Sequence, residues 1–141
     1  MSINPSRFAE ELAGLTASPH FVSFAYEAIE RWEFAQFEKT NIVEGIFLFL
    51  EGHETTDIGN PGPLVHFAES LPYGSYKKLL FESLLRKPTG HSIGMLNAMI
   101  NGAKTDGERL QLLNAMRAAS MHYLASAEAK GLAIHFLEYQ S

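Results

Sequence analysis

The sequence predicts an all-α fold of about seven to eight helices, antiparallel pairs stacked as an irregular HEAT- or armadillo-like array of α-hairpins in one helical domain, 1–141. Three observations carry this expectation. Helix start signals recur along the chain, apolar residues repeat at helical spacing, and strand signals are nearly absent.

The first helix, near 5–15, opens at Asn4-Pro5, a capping side chain followed by proline at the first helical position, where its missing N–H removes no bond. Ser18-Pro19 repeats the signal and opens a helix near 19–37. Along it Phe21, Phe24, Ala25, Ala28, Ile29, Trp32 and Ala35 form an apolar stripe, with Glu27, Glu30, Arg31, Glu33 and Gln36 on the other face. Asn41 stands three residues before Glu44, the spacing of a capping box, and opens a helix near 41–52. The run "IVEGIFLFLEG" would also suit a strand by its β-branched and aromatic content, but the cap and the length favour a helix flawed by Gly45.

The Pro- and Gly-bearing stretches "TTDIGNPGP", "LPYG" and "KPTG" bound helices near 62–70 and 73–87. Thr89 is the expected cap of the next helix, 91–102, whose apolar face is Ile93, Met95, Leu96, Met99 and Ile100. His91 and Ser92 fall in its exposed first turn. Asn97 and Asn101, one turn apart, are expected to hydrogen-bond backbone in a neighbouring loop. Thr105 with Glu108 forms a second capping box and opens a helix near 106–119, and Ala129, Leu132, Ala133 and Phe136 mark the last, near 126–138.

Hydrophobic residues at 46% and charged residues at 19% exclude a disordered or fibrous chain. With no cysteine there is no disulfide, no thiolate metal site and no cysteine nucleophile. The start "MSINPSRFAEEL" has neither the basic opening nor the apolar run of a signal peptide, and "IFLFL" at 46–50 is too short to span a bilayer. A cytoplasmic protein without membrane contact is the expectation.

Charge is distributed unevenly. Residues 1–70 hold three basic and eleven acidic groups, a balance of −8, whereas residues 71–141 hold eight basic and five acidic, a balance of +3. A nucleic-acid binder presents a dominant basic patch, so nucleic acid is not the expected partner. A basic protein suits the acidic half.

Chemistry-bearing motifs are sparse. "HETTD" places His53, Glu54 and Asp57 in an H-E-x-x-D pattern close to the zincin H-E-x-x-H, but Gly52, two threonines and "DIGNPGP" announce a helix end, where one-turn ligand spacing is lost. The six histidines include no pair three or four residues apart. No nucleophile elbow, phosphate-binding loop or dinucleotide fingerprint occurs, so neither catalysis nor a cofactor is expected. The aromatic residues are more suggestive. Phe34 and Phe37 leave the stripe that holds Trp32 and stand among Glu30, Glu33 and Glu38, an apolar anchor ringed by carboxylates. With Glu51, Glu54 and Asp57 these form the candidate partner-binding set.

The stretch 71–118 resembles the helical immunity proteins of bacterial polymorphic-toxin and contact-dependent growth inhibition systems, the group numbered thirty among immunity families. Leu80, Glu82, Ser83, Leu84 and Arg86 carry the likeness, followed by Lys87-Pro88-Thr89, Met95-Leu96-Asn97 and Met99-Ile100-Asn101. Ala98 departs from it, where a larger polar residue is expected. The resemblance implies a cytoplasmic antidote that binds and blocks one cognate toxin domain, often a nuclease, without catalysis. Two other readings stand beside it: a helical-repeat adaptor that binds a protein or peptide in its groove, and a metal-dependent enzyme centred on Glu51, His53, Glu54 and His66.

Overall fold

The computed structural model describes residues 3–140, and among them the chain is all-α, with eight helices. They are α1 (Pro5–Ala13), α2 (Phe21–Phe34), α3 (Lys39–Gly52), α4 (Gly62–Glu69), α5 (Tyr73–Arg86), α6 (Gly90–Asn101), α7 (Asp106–Ser120) and α8 (Ala127–Gln140). The chain divides into two compact units, Met1–Leu79 and Leu80–Ser141, with the boundary inside α5.

The N-terminal unit is built around α3. Ile42, Val43, Ile46, Phe47, Phe49 and Leu50 are all buried, so this helix is apolar on nearly every side. That explains the strand-like look of its sequence: a helix covered all round loses the polar face by which helices are recognised. α1 and α4 pack against it, and α2 packs on α4. Gly45 is no flaw. A Cβ there would stand 2.6 Å from the Pro5 carbonyl oxygen and 2.8 Å from Phe8 Cβ, so glycine is what lets α1 cross at this distance.

Two expected helix starts move. Ser18 Oγ accepts the His20 N–H at 3.0 Å within a turn, and α2 begins two residues after Pro19, with His20 at its N-cap and no side-chain cap. At the other end Gln36 takes a positive φ of 62°. Its N–H donates to the Glu33 carbonyl and that of Phe37 to the Trp32 carbonyl, a Schellman ending that stops α2 at Phe34 rather than 37. The reversal is tight enough that α3 starts at once behind Glu38, and Asn41 lies inside the helix instead of capping it. Phe8 receives Trp32 and Phe37 edge-on, at ring-centre distances of 4.9 and 5.6 Å. Above this cluster Glu11 of α1 accepts the Trp32 indole N–H at 3.0 Å and pairs with Arg31.

In the C-terminal unit α6, α7 and α8 each pack on the other two. Their core includes Ile93, Leu96, Ile100, Leu112 and Met116, with Ala129 and Ala133 on the α8 side. Thr89 caps α6 as expected, but Ser92 is buried, not exposed. Its Oγ accepts the Thr89 N–H at 2.9 Å while Thr89 Oγ1 accepts the Ser92 N–H at 3.2 Å, a reciprocal capping box that lets both hydroxyls enter the core without an unmet bond. Asn97 and Asn101 bond a side chain rather than loop backbone: both Oδ1 atoms accept from Gln140 Nε2, at 3.0 and 2.7 Å. Arg109 of α7 donates to the Gln140 carbonyl at 2.7 Å, so one residue of α8 is tied to two helices.

Candidate binding surface

The exposed side of α2 follows from its periodicity. Phe21, Ala25, Ala28, Ile29 and Trp32 turn inward, which leaves Val22, Tyr26, Glu30 and Glu33 along one outer line, with Glu27 beside it. Phe24, expected on the buried stripe, sits at its edge, 38% exposed and edge-on to the His20 ring. Glu30, one turn on, raises the Tyr26 phenol pKa above its ordinary value by favouring the protonated hydroxyl as a hydrogen-bond acceptor and by its charge, with some desolvation and the Glu33 charge adding to it. Arg31, the one cation of α2, is turned away to Glu11. No ion pair among the described residues therefore neutralises Glu27, Glu30 or Glu33.

Alongside this face runs an open groove of about 880 Å³. Val22, Tyr26, Glu27 and Glu33 line it from α2, Pro61, Pro63, His66 and Phe67 from the loop and α4, and Lys39 of α3 also contributes. The loop is held in shape locally. Asp57 accepts the Gly59 N–H at 2.9 Å, Ile58 is buried, and Gly59 and Gly62 both take left-handed backbone, with φ of 94° and 83°. A Cβ on Gly59 would meet Gly62 Cα at 2.7 Å. Only glycine satisfies both conditions there.

The structure brings together part of the candidate set. Glu30 and Glu33 share a face, and Phe34 ends α2 with its side chain 92% exposed. Glu38 is exposed at the α3 N-cap. Phe37 is half-buried, its ring committed to Phe8. Glu51, Glu54 and Asp57 belong to the opposite end of α3, roughly 20 Å from Glu38 along a helix of this length. Asp57 spends its carboxylate on the loop. Val22, Tyr26, Glu27 and the loop 59–63 were missing from the set. Val22, Tyr26 and Glu27 stand eight, four and three residues before Glu30, a helical spacing visible in the sequence, whereas the loop's approach to α2 is not.

His53 of the H-E-x-x-D run follows the last residue of α3. Its ring stacks on Phe49 at 4.5 Å, and Nδ1 donates to the Phe49 carbonyl at 3.0 Å, so it closes the helix end. Among the described residues no three His, Cys, Asp or Glu side chains converge as a metal site. In the C-terminal unit a smaller apolar groove of about 320 Å³ runs between Leu84 and Leu85 of α5 and Ala115 and Ala118 of α7, with His122 at one end. His122 Nε2 donates to the Leu85 carbonyl at 2.7 Å and Nδ1 accepts the Leu124 N–H at 3.1 Å, a pair of bonds that selects the Nε2–H tautomer.

No family model, curated protein or solved structure matches this chain.

Proposed function

We propose that the chain is a binding protein of the immunity type, which neutralises a cognate toxin domain by covering it with the acidic face of the N-terminal unit. The observation that carries the reading is the outer face of α2. There Glu27, Glu30 and Glu33 make no ion pair among the described residues, and Phe34 projects 92% exposed at the end of the same helix. A charged, unneutralised face beside a projecting aromatic ring does nothing for the fold, but it suits an interface with a basic surface. The resemblance of residues 71–118 to helical immunity proteins supplies the kind of partner.

A nuclease domain fits because its active site must be positive to hold phosphates, and carboxylates presented in their place occlude it. Binding, with no turnover and no cofactor, is then the whole activity. Nucleic acid itself is repelled by such a face. No described helix is long and apolar enough to cross a membrane.

Co-expression with the product of the reading frame upstream should rescue growth, and the two proteins should co-purify. Replacing Glu30 and Glu33 with lysine should weaken the complex at least about tenfold and flatten its salt dependence, since opposite charges at the rim set both. Unchanged affinity and unchanged salt response in that double variant would sink the acidic-face reading.

A further inference from the structure

We infer that the groove between α2 and the loop 59–63 is a subsite for an arginine side chain carried on an extended segment of the partner. This deepens the acidic-face reading and rests on it. Recognition of arginine needs an apolar channel for its methylene stem, an aromatic face for its planar guanidinium, and carboxylates at hydrogen-bonding height. All three line the same groove: Val22 and Phe67 with Pro63, the half-exposed ring of Tyr26, and Glu27 with Glu33.

The groove is more than a set of surface acids. Its volume falls within the range of ligand clefts, about 300–1,000 Å³, and takes a few residues of chain rather than a small ion. The Asp57 turn, the two left-handed glycines and the flanking prolines hold its loop side in place before anything binds, which lowers the ordering cost of association. Lys39 in the lining offsets part of the charge of Glu27 and Glu33, so the groove suits a single cation better than a polybasic run. Glu30, one turn on from Tyr26 and outside the groove lining, and to a smaller extent Glu33, place further negative charge near the ring that a guanidinium would stack on.

Arginine is favoured over lysine because its guanidinium is planar and weakly hydrated. It can lie on Tyr26 while its N–H groups reach a carboxylate, whereas an ammonium is drawn back to water. The partner group is thus the kind a phosphate-gripping domain already displays.

The test is an amide-resolved NMR titration of the ¹⁵N-labelled chain with a capped Gly-Arg-Gly-Arg-Gly peptide, run beside versions carrying lysine and norleucine. Saturable shifts are expected over 22–33 and 59–67, with the arginine peptide binding most tightly. Tyr26→Ala and Glu33→Gln, both at exposed positions, should each weaken it about two- to fivefold. Equal binding of the norleucine peptide, tighter binding of the lysine peptide, shifts spread equally to Glu51 and Glu54, or variants without effect would each overturn the inference. The two readings fail separately. Intact growth rescue without groove shifts removes the subsite alone, while groove shifts in a chain that rescues nothing keep the subsite and remove the antidote.

Discussion

Replacing Gly45 with alanine sets two known effects against each other. In an ordinary helix interior the exchange stabilises by about 1 kcal/mol, because glycine loses more backbone freedom on folding. At Gly45 the new methyl would stand 2.6 Å from the Pro5 carbonyl oxygen and 2.8 Å from Phe8 Cβ. Neither atom is the end of a flexible side chain, so α1 itself must move out, by most of an ångström, to restore van der Waals contact. Overpacking of this kind costs about 1–3 kcal/mol. The clash with backbone belongs at the upper end of that range, giving a net loss of about 1–2 kcal/mol. Gly131 is the control: it lies inside α8, exposed, with nothing within 4 Å of the added Cβ, and alanine there should gain about 0.5–1 kcal/mol. Urea unfolding followed by far-ultraviolet circular dichroism reads both signs. Trp32, the only tryptophan, packs on Phe8 and reports movement of α1 directly through its fluorescence. If Gly45→Ala and Gly131→Ala shift the urea midpoint in the same direction, the close crossing of α1 over α3 is wrong.

Gln36→Gly should stabilise the N-terminal unit by about 0.5–1 kcal/mol, because the left-handed backbone at the end of α2 suits glycine; an unchanged or lower urea midpoint would contradict the Schellman ending. Tyr76→Phe should raise the melting temperature by about 2–5 °C, since the Tyr76 hydroxyl is buried with no hydrogen-bond partner among the described residues. Burial, with smaller contributions from Glu69 and Tyr73, holds its phenol pKa well above the ordinary value, so the unfolded chain ionises first as pH rises. Stability should therefore be full below about pH 10 and fall above it, and the phenylalanine variant should fall less steeply.

The fold was legible where its signals are local. Asn4 accepts the Ser6 N–H, Thr89 the Ser92 N–H and Thr105 the Glu108 N–H, each from a backbone donor two or three residues away that any sequence reader can count to. Ser18 and Asn41 misled because capping residues are also turn residues. Ser18 satisfied its bond before the helix began, and the tight ending at Gln36 brought α3 forward past Asn41. Gly45 and Ser92 depend on what packs over them, which spacing along one helix does not contain. The same division runs through the candidate site. Glu30 and Glu33 could be placed on one face by arithmetic, but their neighbour in space is a loop some thirty residues on, held by Asp57 and two glycines whose effect is felt only after the chain closes.

The unneutralised carboxylates of α2 also bear on the energy of the free protein. Glu27, Glu30 and Glu33 stand at three-residue intervals, a spacing at which like charges repel along a helix by about 0.2–0.5 kcal/mol per pair. Arg31, one turn on from Glu27, pairs with Glu11 of α1 instead. The helix is thus kept under a standing electrostatic load that its buried face must outweigh. A cation docking on that face removes the load as it binds, so that association and folding pull in the same direction. In the free chain this repulsion is a small standing cost, which any cation seated on the face would lower.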